Sequence, residues 1–281
     1  MPDTNVTVIG ATGKLGRRLV ARLLARGVSV TAVGRSAEKL SALPVPGRLA
    51  DCNDAPALRT ALADAQMVVS CAYAATAPAV IDALPRRVER VVLTGSTRRF
   101  TRFRDSIADN LIAAEAMLAK SGHPGVLLYP TMICGEDGKN NVQRIAAYIR
   151  RFGVVPLPQG GRALVQPVYV GDLAACLESA LFRPEAVGAP IVVGGKDVVS
   201  YRGLVEAVAR AIGRRVRIVS VPAAALMAAA PLTRLLPQFP KIAVPEVRRL
   251  LEDKSFDISD MRRRLGVEPI ALEDMLARTF A

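Results

Sequence analysis

The chain has 281 residues, with 38 basic and 25 acidic side chains, so its formal net charge is +13. Hydrophobic residues make up 51% and aromatic residues only 4%. This length allows one large domain, or one domain with a small lobe, around a well-buried core. The basic residues are dispersed and accompany no zinc-finger spacing or aromatic-interleaved RNA motif, so we expect no nucleic-acid partner.

The apolar runs and the cysteines indicate the compartment. The first residues lack the basic-then-apolar order of a signal peptide. No run reaches the ~18 apolar residues of a membrane span, since prolines and Arg234 interrupt the nearest candidate, 221–236. The four cysteines form no Cys-x-x-Cys pair, and the lone His123 cannot build a metal site. The sequence therefore predicts a cytoplasmic protein without a metal.

The first predicted strand, 6–9, leads directly into three glycines. Apolar residues then recur at helical spacing, which predicts a helix over 15–25. A helix that begins at a glycine turn presents free backbone N–H groups and its positive dipole end to one point. In this interpretation Gly10 permits the turn, Gly13 lets a pyrophosphate approach the backbone, and Gly16 lets the helix pack against the strand. The alternative is an ordinary strand-turn-helix that binds nothing.

The spacing Gly-x-x-Gly-x-x-Gly, with Ala11 and Thr12 between the first two glycines, resembles that of the extended and atypical short-chain dehydrogenase/reductase superfamily. The C-terminal pattern Asp257-x-Ser259 followed by Leu265-Gly266 and Pro269 is also similar to the end of many members. The resemblance thus covers nearly the whole chain. It implies a Rossmann fold that binds a nicotinamide dinucleotide.

Strand and helix patterns alternate along the first 182 residues. This alternation predicts an α/β protein with a doubly wound parallel sheet. We expect a cofactor domain over 1–182, which also contributes to the lobe after it, and a small C-terminal α/β substrate lobe over 183–281. After 15–25, the predicted helices are 37–42, 56–63, 77–84, 107–119, 142–151, 172–182, 201–212 and 272–277. After 6–9, the predicted strands are 28–33, 48–50, 67–70, 91–94, 126–129 and 165–170, followed by shorter pieces at 191–195 and 216–221.

The second strand ends without the acidic residue that would bond the ribose hydroxyls of NAD. Gly34 leaves space there, and the Arg35 guanidinium is a fork of donors that suits a 2′-phosphate, with Ser36 beside it. The sequence therefore predicts NADP(H) in preference to NAD(H). The alternative is that Arg35 is a solvated loop arginine.

The resemblance also implies the remaining cofactor contacts. Asp51 would meet the adenine amino group, and the segment around Cys71 would run beside the cofactor. The turn at Pro130 would approach the nicotinamide. The residues predicted to bind the cofactor are Gly10, Thr12, Gly13, Lys14, Leu15, Gly16, Arg35, Ser36, Asp51, Cys52, Cys71, Ala72, Thr94, Pro130 and Met132. Asp172 is interpreted as a helix N-cap.

The catalytic pattern departs from the superfamily. Members usually carry Tyr-x-x-x-Lys, in which the lysine lowers the pKa of the tyrosine. None of the five tyrosines here has a lysine four residues later. The usual serine is retained as Ser96, and Tyr73 and Tyr129 are the other candidate proton donors. Because it lacks the Tyr-x-x-x-Lys pair, the sequence resembles the atypical branch of the superfamily. That branch includes the NADPH-binding accessory subunit of respiratory complex I, the NmrA-like regulators and bacterial epimerase/dehydratase-like proteins.

Two functions stay open at this point. The first is an NADPH-dependent reductase of a hydrophobic carbonyl or quinone-like substrate. The second is a cofactor-binding sensor or accessory protein without turnover. The apolar, proline-broken stretch 223–236 is interpreted as a wall of the substrate pocket. Peripheral contact of that stretch with an anionic membrane is the less favoured alternative.

Overall fold

The computed structural model describes residues 5–136, 140–229 and 244–281. The strands in these ranges are β1 Asn5–Ile9, β2 Ser29–Gly34, β3 Gly47–Leu49, β4 Met67–Ser70, β5 Arg90–Thr94, β6 Gly125–Pro130, β7 Met132–Cys134, β8 Val154–Pro158, β9 Leu164–Val165, β10 Pro167–Tyr169, β11 Ile191–Val193, β12 Val199–Ser200 and β13 Arg217–Val221. The helices are α1 Lys14–Ala25, α2 Ala37–Ser41, α3 Ala55–Leu62, α4 Ala77–Asp82, α5 Ser106–Ser121, α6 Asn141–Phe152, α7 Val170–Phe182, α8 Tyr201–Ala211, α9 Ala223–Ala229, α10 Val244–Arg249 and α11 Leu272–Phe280.

The main sheet has seven strands in the order β11-β6-β5-β4-β1-β2-β3. Every neighbouring pair is parallel. The chain builds outward from β1 to β3, then returns to the other side of β1 with β4. The ends of β1 and β4 are therefore a topological switch point, where open α/β sheets bind their ligands. The predicted fold class, a doubly wound parallel α/β sheet, is confirmed.

Helices cover both faces of this sheet, so its strands are buried on both faces. Val8 points into one apolar cluster, with side chains of α1 and α7. The adjacent Ile9 points into the other cluster, with side chains of α3, α4 and α5. Continuous apolar strands of this kind are typical of parallel sheets. They hold the carboxyl ends of the strands at one rigid edge.

A third apolar cluster forms a smaller layer beside the main sheet. It joins α6 and β8 to α8 and α11. The parallel pair β8–β13 connects the same two parts of the chain. Residues before 182 thus contribute to the small lobe, while the division of the chain after residue 182 stays a prediction.

Two local predictions were wrong. The single strand predicted over 165–170 is two short strands that belong to different pairs, β9 with β12 and β10 with β7. The buried Gln166 separates them. Its side chain donates to the Gly195 carbonyl at 2.8 Å and accepts from the Phe256 amide at 2.9 Å. An apolar run alone does not reveal that a buried side-chain amide divides it into two strands with different pairing partners.

Asp172 is not the N-cap of α7. The helix begins at Val170, and Tyr169 occupies the cap position. The Asp172 carboxylate instead accepts from the amide of Ile270 at 2.9 Å. Burial raises the pKa of this carboxyl group. Asp172 therefore joins the C-terminal segment to α7, a structural role that no local pattern indicates.

The structure describes only part of the stretch 223–236. Helix α9 is described, but Leu232, Arg234, Leu235 and Leu236 lie outside the described residues. The pocket-wall interpretation and the membrane alternative therefore stay predictions. Among the helices that the structure describes, none is long and apolar enough to cross a bilayer.

Candidate functional site

The turn between β1 and α1 requires two of its three glycines for packing. Gly10 has a φ of +74°, and a Cβ there would lie 2.9 Å from the backbone nitrogen of Ala72. A Cβ at Gly16 would lie 2.2 Å from the carbonyl oxygen of Gly10. Both contacts are with backbone, which cannot yield as a side chain can. These two glycines thus allow the helix and the end of β4 to lie close to the turn.

Gly13 differs from the other two glycines. Its φ of −74° suits any residue, and a Cβ there would meet only the Gly10 carbonyl oxygen, at 3.2 Å. Gly13 is also the N-cap of α1, and no side chain caps the helix. The first-turn N–H groups of α1 are therefore open to an anion. Packing requires a glycine less strictly here than at Gly10 or Gly16, and a phosphate close to the backbone accounts for it well.

A cleft of about 370 Å³ opens beside this turn, along the carboxyl ends of β1, β2 and β4. Nine of the predicted cofactor residues line it: Gly10, Thr12, Gly13, Arg35, Ser36, Asp51, Cys52, Cys71 and Ala72. Lys14, Leu15, Gly16, Thr94, Pro130 and Met132 do not line this cleft. Their contact with the cofactor stays a prediction. The cleft has the place and the lining that the adenosine and pyrophosphate parts of a dinucleotide need.

Three charged side chains line the cleft: Lys39 and a neighbouring pair of opposite sign, Arg35 and Asp51. The guanidinium of Arg35 is 77% exposed and lies 3.7 Å from the Asp51 carboxylate, which is 39% exposed. Ion pairs this open to water contribute little to stability. Asp51 is held by the backbone amide and side-chain amide of Asn53, at 2.9 and 3.0 Å. Arg35 is consequently free to turn toward a ligand while Asp51 stays in place.

A second cleft, of about 230 Å³, lies at the same edge of the sheet, beyond the ends of β5 and β6. Ser96 and Met132 line it, together with Lys254 and Phe256 from the C-terminal part of the chain. The Ser96 hydroxyl accepts from the amide of Arg98 at 3.2 Å. Its own hydrogen is not used in that bond, so it can be donated to an oxygen in the cleft.

Tyr129 lies in the core and its hydroxyl is occupied. The side chain is fully buried, and its hydroxyl donates to the Glu115 carboxylate at 2.6 Å. Arg99 pairs with the same carboxylate at 3.1 Å. Burial and the Glu115 charge raise the pKa of Tyr129, opposite to the lowering that a proton-donating tyrosine of this superfamily needs. Its catalytic role stays a prediction, and this placement weighs against it.

Two further predicted site residues with hydroxyl groups, Tyr73 and Thr94, lie in different surroundings. Tyr73 is 64% exposed and lines the nucleotide cleft, with Asp51 and Thr76. Thr94 is buried at the end of β5. Its hydroxyl has no hydrogen-bond partner among the described residues. Of the three candidate proton donors, only Ser96 lines the second cleft.

Sequence reasoning missed two cations of the second cleft, Arg249 and Lys254. Backbone bonds bring Lys254 there, since its amide donates to the Leu164 carbonyl at 2.8 Å. The neighbouring Asp253 carboxylate accepts from the Leu164 amide, also at 2.8 Å. The only available signal was their position shortly before the Asp257-x-Ser259 pattern. Nothing in that pattern specifies where the preceding residues fold.

The glycine turn, the switch point and the two clefts together define a nucleotide-binding α/β protein. The model of an NAD(P)H-binding family matches residues 10–151, about half of the chain. The chain belongs to this NAD(P)H-binding family. The nicotinamide-dinucleotide-binding fold that the resemblance to the short-chain dehydrogenase/reductase superfamily implies is confirmed.

The matches to curated relatives cover different shares of those proteins. An uncharacterized Mycobacterium tuberculosis protein is 29% identical over 209 residues, which are 73% of this chain and 23% of that protein. The mitochondrial NADH dehydrogenase [ubiquinone] 1 alpha subcomplex subunit 9 of Arabidopsis thaliana is 28% identical over 242 residues. That match covers 77% of this chain and 60% of the subunit. This chain thus spans about a quarter of the first relative and three fifths of the second.

Solved structures share the fold. An NADPH-dependent quinone oxidoreductase of Escherichia coli has a TM-score of 0.76 and 21% identity, and the match covers 98% of this chain and all of that one. The UDP-glucose 4-epimerase of Thermus thermophilus, solved with NAD, has a TM-score of 0.72 and 20% identity, over 98% and 97% of the two chains. At these identities the likeness establishes the fold alone.

Proposed function

We propose that this protein is an NADP(H)-dependent oxidoreductase that acts on a small hydrophobic carbonyl, alcohol or quinone-like substrate. The observation that carries the proposal is the pair of clefts along one edge of the sheet. One has the glycine turn and Arg35, and the other has Ser96. A dinucleotide that begins at α1 and crosses the switch point would extend toward Ser96.

Ser96 is the proposed hydrogen-bond donor to the substrate. The bound nicotinamide would supply or accept a hydride, and the oxygen of a carbonyl substrate would then gain negative charge. The Ser96 hydroxyl would donate to that oxygen and stabilise the charge, as preorganised donors do in other active sites, and a solvent water would supply the proton that completes the alcohol. The phenyl ring of Phe256, which packs 5.6 Å from that of Phe100, would supply an apolar wall for the substrate.

The second candidate function is cofactor binding without turnover. Among the described residues, no tyrosine hydroxyl lines the second cleft, and the chain has no Tyr-x-x-x-Lys pair. A nucleotide sensor or an accessory subunit would need only the first cleft. The Arabidopsis relative is itself named as a subunit of a larger assembly.

NADPH oxidation against a panel of aldehydes, ketones and quinones separates the two functions. We expect turnover with at least one apolar carbonyl or quinone, together with saturable NADPH binding. Binding without turnover across the panel would favour the accessory role. No binding of either nicotinamide cofactor would refute both proposals.

Ser96→Ala tests the role of the serine. Because the variant loses one hydrogen bond to the reacting oxygen, we expect kcat to fall about three- to tenfold, the value of one neutral hydrogen bond. NADPH affinity should stay unchanged. The control is Ser121→Ala, which removes a serine hydroxyl that donates to the Leu118 carbonyl at 2.8 Å and accepts from the His123 amide at 3.2 Å, away from both clefts. An unchanged kcat in Ser96→Ala would contradict the proposed role.

A further inference from the structure

A more apolar recess of about 290 Å³ adjoins the Ser96 cleft. Met132, Asn141, Arg249 and Lys254 line both spaces. Ile145 and Val155 are among the apolar residues of the recess. A ligand that extends from Ser96 into the recess would thus pass Arg249 and Lys254, the two cations that line both spaces.

Neither cation has an ionic partner among the residues that the structure describes. The Lys254 ammonium donates to the backbone carbonyl of Arg249 at 2.8 Å, which is a neutral acceptor and leaves two of its three hydrogens free. Arg249 forms no ion pair within 4.0 Å in that part of the chain.

Two of the nearby carboxylates, Glu252 and Asp253, are directed to other groups, and a third, Glu246, lines the recess itself. Glu252 accepts from the Thr101 hydroxyl at 2.8 Å and from the Arg102 amide at 2.7 Å. Asp253 accepts from the Leu164 amide. These bonds fix the loop that carries Lys254. Burial lowers the pKa of Lys254, the charge of Glu252 opposes this effect, and the charges of Arg249 and Arg98 add to it.

We infer that Arg249 and Lys254 bind a carboxylate group of the substrate. This inference rests on the proposed function and names its substrate class: an apolar molecule that carries a carboxylate. A carboxylate would accept from both cations and offset the cost of burying the ammonium. The apolar recess beyond them would bind the rest of the molecule.

The recess favours an organic carboxylate over free inorganic phosphate. Phosphate would satisfy the cations but would leave the space beside Ile145 and Val155 without apolar contacts. An acyl or aryl chain would displace water from that apolar surface, which favours its binding. The two parts of the site thus select a ligand with a charged group and an apolar body.

Isothermal titration of the NADP⁺-loaded protein with octanoate and with octanamide tests the inference. The two ligands have the same chain and differ in charge. We expect octanoate to bind about tenfold more tightly, the value of one charge-assisted hydrogen bond. Inorganic phosphate should bind more weakly than octanoate. Arg249→Gln and Lys254→Met should each remove the preference for octanoate.

The matched control is Arg248→Gln, because Arg248 is exposed on the same helix and lies over the ring of Phe103 at 6.0 Å. The Arg248→Gln variant should keep the preference for octanoate over octanamide. Equal binding of octanoate and octanamide, binding of neither, or tighter binding of phosphate would overturn the inference. NADP⁺ affinity, titrated separately in every variant, distinguishes this failure from failure of the proposed function, since neither cation lines the nucleotide cleft.

Discussion

Gly13→Val is expected to abolish cofactor binding while the protein stays folded. A valine side chain at the N-cap of α1 would occupy the space above the first-turn amides, where the pyrophosphate is proposed to lie. The φ of −74° at Gly13 suits a side chain, and the single close contact, with the Gly10 carbonyl oxygen at 3.2 Å, requires that oxygen to move by only a few tenths of an ångström. Loss of the amide contacts should lower NADPH affinity by about 100-fold or more.

Fluorescence titration with NADPH measures the affinity, and circular dichroism with thermal unfolding checks the fold. Gly203→Val is the control, since a Cβ at Gly203, in the first turn of α8, would meet only ordinary contacts at 3.4 and 3.8 Å. That variant should bind NADPH as the unmodified protein does. Unchanged NADPH binding in Gly13→Val would remove the central claim about the glycine turn.

Gly16→Val is expected to destabilise the fold more than Gly13→Val does. The Cβ of that residue would lie 2.7 Å from the Cα of Ala11 as well as 2.2 Å from the Gly10 oxygen. Backbone atoms on both sides would have to move, and core overpacking costs about 1–3 kcal/mol or more. We therefore expect a lower melting temperature for Gly16→Val than for Gly13→Val, measured under the same conditions.

The nucleotide cleft could be predicted because its parts are local in sequence. The strand, the glycine turn and the helix occupy one continuous segment, and parallel strands bring their carboxyl ends to one edge. Arg35 and Asp51 each follow a predicted strand, so they were expected at the same edge. The structure places both in one cleft.

The substrate side could not be predicted in the same way because it depends on long-range contacts. Lys254 reaches the cleft through its backbone bond to Leu164, and Phe256 through its bond to Gln166. Neither contact has a periodic signature, and the strand that carries Leu164 has two residues. Tyr129 likewise seemed available in the sequence, but its strand is buried on both faces and directs it to Glu115.

Arg35→Ala is expected to lower the affinity for NADPH by about 10- to 150-fold, the value of charge-assisted bonds to one phosphate. NADH affinity should stay nearly unchanged, since NADH lacks the 2′-phosphate. The weak, exposed pair with Asp51 costs little to break. A Cβ at Gly34 would come within 3.2 Å of the Thr12 side chain, so an acidic residue in the place of Gly34 would crowd this end of the cleft.

Competitive titration of both cofactors with Arg35→Ala and Arg35→Lys measures the selectivity. Arg35→Lys keeps the charge but loses the planar fork of donors, so its NADPH affinity should fall between those of the other two proteins. Arg59→Ala is the control, because it removes a positive charge of the same domain that pairs with Asp82 at 2.6 Å, away from the cleft. It should leave the ratio of the two affinities unchanged. Equal losses for NADPH and NADH in Arg35→Ala, or tighter binding of NADH by the unmodified protein, would refute the predicted preference for NADP(H).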